Sequence, residues 1–279
     1  MIIVDTIVCM DALDFLRGLD SDSIDCCVTS PPYDNLRDYN GYTWDFEGIA
    51  QELYRVIKPG GVVVWVVDDA MSDNGKGLNS HKQLIYFNEV VGFRNHQTII
   101  WQKNSIPQKR SKAYLDDFEY MFVLSKGEPE TFNEIRRKNK NYGQKKKQMH
   151  YGKKGKSYGK NFYTVQQDSI DYNVWLMMTG FNGATDALAF GHPALFPEEL
   201  AERHIRTWTN TGDIVLDPFM GSGTVAKVAR NLGRHYIGCD LSQDYVDLAN
   251  QRLQNSDPYK ATDLNNGLRQ LSLFGDVMP

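Results

Sequence analysis

Along residues 1 to 126, short apolar runs alternate with segments whose apolar residues return every three or four positions. Ile2 to Val8 and Ser23 to Val28 read as strands, with a helix over Ala12 to Leu19 between them. Phe46, Ile49, Ala50, Leu53, Val56 and Ile57 keep a helical period that Lys58-Pro-Gly-Gly61 stops, and Val62 to Val67 then reads as a buried strand. Ser80 to Phe93 predicts a helix, and His96 to Trp101 and Tyr120 to Leu124 predict two strands forming an antiparallel edge. Strands alternating with helices argue for an α/β fold with a mostly parallel sheet.

From about 128 to 190 this rhythm is lost in a stretch rich in Lys, Asn, Gly and Tyr, which reads as an inserted, loop-rich module. Order returns at Pro197, which with acids in the following turn starts a helix running to Ile205. A strand at Ile214 to Leu216, a helix at Thr224 to Leu232, a strand at Tyr236 to Ile237 ending in Asp240, and a helix at Gln243 to Leu253 complete the pattern. The expected divisions are thus 1 to 127, the insertion 128 to 190, 191 to 255, and a peripheral tail 256 to 279.

A chain of 279 residues, 41% of them hydrophobic, can bury one large core. No apolar run reaches the roughly 18 residues of a membrane span, and Met1-Ile-Ile-Val-Asp5 lacks the basic start of a secretory leader, so a soluble cytoplasmic protein is expected. Cys9, Cys26, Cys27 and Cys239 have no zinc-site spacing and read as reduced core residues, and no metal is expected. The formal net charge of −4 hides an asymmetry: from Arg136 to Lys160 there are 11 Lys or Arg and no Asp or Glu. An acidic body with one basic segment suggests that this part of the chain meets a nucleic-acid backbone.

Two constellations carry chemistry. In Ile214-Val-Leu-Asp-Pro-Phe-Met-Gly-Ser-Gly-Thr224 a strand passes through a glycine-containing turn into a helix, which lets backbone approach a ligand closely. Asp217 at the strand end would repel a pyrophosphate but would pair with the ammonium of a methionine moiety. Asp240, at the end of the next strand, is placed to accept from both ribose hydroxyls of an adenosine, or else to cap the helix beginning near Gln243.

The other constellation is Thr29-Ser-Pro-Pro-Tyr33, just past an apolar strand and so at the carboxyl edge of the sheet. It offers a hydroxyl on Ser30, a Pro31 carbonyl fixed by the stiffness of Pro31 and Pro32, and the aromatic face of Tyr33. An exocyclic amino group on a nucleobase is a poor nucleophile because its lone pair is delocalised. Hydrogen bonds to Ser30 and to the Pro31 carbonyl would draw it toward a tetrahedral form, while Tyr33 would stack on a base held outside the duplex.

Taken together, Thr29-Ser-Pro-Pro-Tyr33 and Asp217-Pro-Phe-Met-Gly-Ser-Gly-Thr224 resemble the amino-methylating DNA methyltransferases, in particular the permuted group whose catalytic motif precedes its cofactor motif. The resemblance covers residues 1 to 127 and 192 to 254. It implies a circularly permuted, Rossmann-like fold dependent on S-adenosylmethionine, with the target-recognition region inserted at 128 to 190. It assigns Asp217, Phe219, Gly221, Gly223 and Thr224, with Pro218 and Ser222 among them, to the methionine end of the cofactor. Asp240, with Leu241, goes to the ribose. Asp11, with Ala12, falls near the adenine, though Asp11 equally suits a cap for the helix starting at Ala12. His192-Pro-Ala-Leu-Phe-Pro197 resembles the family's motif ahead of the cofactor strand, which would put Pro193 and Phe196 in the methionine pocket.

The resemblance implies double-stranded DNA as partner, with Lys145, Lys146, Lys147, Lys153, Lys154 and Lys156 of the insertion as the expected contacts, and it admits a homodimer and a cognate restriction endonuclease. Ser30 at the first variable position resembles the cytosine-N4 enzymes; adenine-N6 enzymes more often carry Asp or Asn there. Cytosine-C5 chemistry is excluded, because no Cys lies between Ser30 and Tyr39 to act as nucleophile. RNA or protein-glutamine methylation shares the Pro-Pro-Tyr logic but gives no reason for the basic insertion.

Overall fold

The computed structural model describes residues 3–32, 44–72, 75–103, 112, 114–152, 155–177 and 197–255. Strand β1 (Thr6–Cys9), helix α1 (Ala12–Arg17), β2 (Ile24–Thr29), α2 (Phe46–Val56) and β3 (Ile57–Val67) come first. The small ribbon β4 (Met71–Ser72) and β5 (Gly75–Lys76), α3 (Asn79–Ile85), β6 (Arg94–Lys103) and β7 (Phe118–Ser125) follow. Then come β8 (Arg136–Lys138), β9 (Lys145–Gly152), β10 (Gly155–Thr164), β11 (Asp168–Ile170) and β12 (Val174–Met177). The chain goes on through α4 (Glu198–Trp208), β13 (Ile214–Asp217), α5 (Thr224–Asn231), β14 (His235–Asp240) and α6 (Gln243–Asn255).

Eight strands form one sheet in the order β1-β14-β13-β2-β3-β7-β6-β12. All pairings are parallel except those of β7, which runs against both β3 and β6. The mostly parallel α/β architecture is as expected, but the reversed strand is not at the edge. The edge is β12, which belongs to the stretch read as insertion. Its position is set by pairing with Ile100 to Lys103, a partner far away in sequence, and not by a local pattern.

Strand β3 shows why the central runs are apolar throughout. Val62, Val64 and Val66 join a core with Leu200 and Ile205 of α4, Val225 and Val228 of α5, and Val246 and Leu253 of α6. Val63, Trp65 and Val67 join the opposite core with Leu16 of α1, Leu53 of α2 and Phe87. Successive side chains point to opposite faces, so a strand covered on both sides has no polar position to spare. Each fully buried Val or Leu contributes roughly 1.5–3 kcal/mol of gross hydrophobic stabilisation.

Local departures have local causes. Helix α2 stops at Val56, just ahead of Lys58-Pro-Gly-Gly61 as expected, and these four residues are themselves taken into β3, where the pairing with β2 shifts register between Ile24 and Cys26. The helix expected over Ser80 to Phe93 is α3 followed by a wider π-helical turn at Tyr86–Val91, closed by Gly92 at φ 99°. Cys26, Cys27 and Cys239 are buried free thiols, whereas Cys9 is exposed, because β1 lies at the sheet edge and Cys9 is its last residue.

Residues 134 to 172 form a second compact unit, distinct from the one that holds the sheet. The loop-rich reading of this stretch is corrected: β9 and β10 pair as an antiparallel ribbon and β8 pairs with β11. Lys145, Lys146 and Lys147 of β9 are all exposed, as are Phe162 and Tyr163 opposite them. At these exposed positions there is no alternation of buried and exposed residues for a sequence reading to detect. In the main unit, the chain leaves and returns at pinned points. The Asn133 side chain donates to the carbonyls of Arg206 and Thr209, while Asn173 donates to the Thr98 carbonyl and accepts from the Ile100 amide.

Candidate active site

Strands β2 and β13 are neighbours in the middle of the sheet, and their carboxyl ends bring the two motifs together. Helix α2 after β2 packs in one core and α5 after β13 in the other, so the crossovers diverge at this point, the kind of switch point at which open α/β sheets bind ligands. Asp217, the last residue of β13, is buried, and its Oδ1 accepts from Thr29 Oγ1 at 2.6 Å and from the Phe219 amide at 3.0 Å. Among the described residues both bonds fall on Oδ1, which leaves Oδ2 for a ligand. Burial pushes the Asp217 carboxyl up to about 7, opposed by the two hydrogen bonds and assisted by the nearby Asp240 charge. A carboxyl so desolvated calls for a cation.

The turn after Asp217 is held from below. Met220 donates from its amide to the Cys239 carbonyl, Gly221 donates to Asp240 Oδ2 at 2.9 Å, and Ser242 donates to Asp240 Oδ1 at 2.9 Å. Two of the roughly four acceptor positions of the Asp240 carboxylate are therefore used, and the others are open to hydroxyl donors. Gly221 and Gly223 lie at φ 50° and 80°, where a side chain is strained. A Cβ on Gly223 would also meet Ala249 of α6 at 2.7 Å, so this glycine lets the two helices approach. Gly238, missed in the sequence reading, is required for the same kind of reason: a Cβ there would collide with Met220 Cε and the Asp217 carbonyl. An isolated glycine inside a strand is the signal that marked it.

Ser222 and Thr224 face a buried guanidinium. Arg252 of α6 donates to the Ser222 carbonyl (2.5 Å), Ser222 Oγ (3.0 Å) and Thr224 Oγ1 (3.2 Å). Phe219 meets Trp44 edge-on at 5.5 Å, and Trp44 in turn lies 6.1 Å from Trp65. Asp11 caps α1, accepting from the amides of Leu13 and Asp14, with Ala12 buried behind it. Cys9, beside Asp240 in the strand pairing, donates to the Leu241 carbonyl at 3.4 Å.

Ser30 and Pro32 are half-buried just past β2 and Pro31 is buried. Tyr33, Lys153, Lys154, Pro193 and Phe196 lie outside the described residues, and Lys156 is placed as a strand position opposite Tyr151. Within the second unit Arg136 is engaged by Glu134 and Asp168, and Arg137 lies 4.0 Å from both Asp171 and the ring of Tyr172. Two of the basic residues at the start of the run are thus engaged within this unit, and the exposed lysines of β9 follow them. Among the described residues no group of three or more His, Cys, Asp or Glu is placed to hold a metal ion, and no helix is long and apolar enough to cross a membrane.

Residues 24–251 match the model of the N6/N4 methyltransferase family, described as DNA methylase. The chain belongs to this DNA methylase family. It is thus a DNA amino-methyltransferase that depends on S-adenosylmethionine, and the buried Asp217 carboxyl and glycine-lined turn fit that cofactor. Among relatives of this methylase, the orphan methyltransferase M.BamHII of Bacillus amyloliquefaciens is 49% identical over 240 residues, covering 84% of this chain and 89% of its own. The type II methyltransferase M.BglII of Bacillus subtilis is 30% identical over 254 residues, covering 87% and 67%. The fold is shared with the solved PvuII DNA methyltransferase (cytosine-N4-specific), at a TM-score of 0.65, 20% identity, and 92% and 90% coverage. It is shared also with M1.HpyAVI in complex with S-adenosylmethionine, at a TM-score of 0.57, 24% identity, and 89% and 99% coverage.

Proposed function

We propose that this methylase modifies the exocyclic N4 of cytosine in double-stranded DNA, on a base turned out of the helix, and that it acts in the cytoplasm. The observation that carries the base assignment is Ser30, half-buried at the carboxyl end of β2 one residue past the Thr29 to Asp217 hydrogen bond. Ser30 and the Pro31 carbonyl accept hydrogen bonds from the amino group, which draws its nitrogen out of conjugation with the ring. Tyr33 stacks on the displaced cytosine. Asp217 pairs with the cofactor's ammonium, Pro218, Phe219, Gly221, Pro193 and Phe196 line its methionine end, and Asp240 receives the ribose hydroxyls. When bound, S-adenosylmethionine supplies an electrophilic methyl group on a sulfonium.

The lysines of β9 neutralise DNA phosphates, a role consistent with their exposure and with the acidity of the rest of the chain. The cytosine-N4-specific PvuII enzyme supports the reading by analogy of fold. Mass spectrometry of nucleosides from DNA treated with the enzyme and S-adenosylmethionine decides it. N4-methylcytosine is expected, and N6-methyladenine as sole product would overturn the base assignment.

A further inference from the structure

The turn that receives the cofactor is gripped from behind by a charged network that none of the sequence motifs contains. Arg252 is buried on the inner side of α6, between Ala249 and Leu253. Its Nη1 donates to the Ser222 carbonyl, Ser222 Oγ and Thr224 Oγ1, and its Nη2 lies 3.4 Å from Glu198 Oε1. Glu198 opens α4 and also accepts from Lys227 of α5 at 2.8 Å, with all three side chains buried. One guanidinium and one carboxylate therefore tie three helices to the turn between Gly221 and Thr224.

We propose that Arg252 is a positioning residue for cofactor binding, acting through Ser222 and Thr224. The planar guanidinium presents fixed N–H directions, so acceptors at 2.5 to 3.2 Å confine the turn to one shape. Gly221 and Gly223, at positive φ, provide no stiffness of their own. The hydroxyl of Thr224 is spent on Arg252, which makes it a handle for the turn. Finally, a buried Arg is costly unless its donors are answered, and here the groups that answer Nη1 belong to the cofactor turn.

The inference rests on the turn being the cofactor site, and the test separates the two. Thr224→Val removes one acceptor while keeping shape, Thr224→Ser restores the hydroxyl, and Arg252→Lys keeps the charge but loses the fork. With folding checked by melting, Thr224→Val and Arg252→Lys each raise KM for S-adenosylmethionine about tenfold. At saturating cofactor, kcat and the KM for DNA stay at parent values, and Thr224→Ser returns KM close to parent. Combining Thr224→Val with Arg252→Lys costs no more than Arg252→Lys alone, because both break one connection. A folded Thr224→Val with parent KM, a fall in kcat without a change in KM, or multiplying effects in the double variant would overturn the proposal. Asp217→Asn serves as the reference: if it too leaves cofactor affinity unchanged, the cofactor assignment fails; if it alone weakens binding, only the role of Arg252 falls.

Discussion

Thr29 Oγ1 donates a 2.6 Å hydrogen bond to Asp217 Oδ1, joining residues 188 positions apart at the buried ends of two adjacent parallel strands. The bond makes the motif that begins at Thr29 and the one that begins at Asp217 one structure. Movement of the turn after Thr29 relative to the turn after Asp217 would have to break a hydrogen bond shielded from water.

Thr29→Val, which keeps shape and loses the donor, is expected to weaken S-adenosylmethionine binding about tenfold at pH 7. Without that bond the Asp217 carboxyl holds its proton more tightly, so the gap to the parent narrows at about pH 8, where the carboxyl ionises and much of the cofactor's ammonium is still charged. Calorimetry at both pH values checks this, and an unchanged dissociation constant at pH 7 would show that the bond plays no part in cofactor binding.

Asp217 also sets a pH dependence. In the unfolded chain its carboxyl titrates near the ordinary 3.8, in the folded one at about 7. Between these values the folded state binds more protons, so the stability associated with this group falls as pH rises through the window. A cofactor ammonium favours the ionised form and offsets the loss. The rise in melting temperature on adding S-adenosylmethionine should therefore grow from pH 5 to pH 8, and in Asp217→Asn this growth should vanish. An equal pH trend in the variant would place its origin elsewhere.

Cys9 is the one exposed thiol among the described cysteines, and burial raises the pKa of Cys26, Cys27 and Cys239 well above the usual thiol range. A maleimide should label the native protein once and quickly, at Cys9. Since Cys9 pairs with Asp240 and contacts the Leu241 carbonyl, saturating S-adenosylmethionine should slow that labelling. Peptide mapping gives the site; a rate indifferent to cofactor would remove the ribose and adenine end of the site from this edge of the sheet.

Replacing Lys145, Lys146 and Lys147 together by Gln should flatten the plot of log DNA affinity against log salt by up to about 3 units, close to 0.9 for each phosphate left without its lysine. All sequences should weaken alike, with cofactor affinity unmoved. Fluorescence anisotropy at several salt concentrations provides the measurement, and an unaltered slope would mean that the DNA backbone is met by another surface.

Legibility in the sequence followed how local each cause was. Strands β2, β3 and β13 were legible because both their faces are buried, and the turn at Asp217 because positive φ selects glycine. The edge strand β12 was not, since its partner in β6 is more than 70 residues away. The β9 and β10 ribbon escaped because Lys145 to Lys147 and Phe162 to Tyr163 are all exposed, which erases periodicity there. Asp11 shows a different limit: capping and ligand binding ask for the same carboxylate, and the structure records the cap. Arg252 was overlooked for a related reason, as an arginine in a last helical turn reads as a solvated charge until its burial is seen.

The pins at Asn133 and Asn173 make the segment between them a replaceable cassette. Its departure and return are secured by α4, β6 and the Thr209 carbonyl, none of which depends on what the segment contains. Evolution can therefore change the length, charge or strand content of residues 134 to 172 and leave the Thr29 to Asp217 junction untouched. A lineage built on this scaffold is free to exchange that one piece, while the junction is inherited whole.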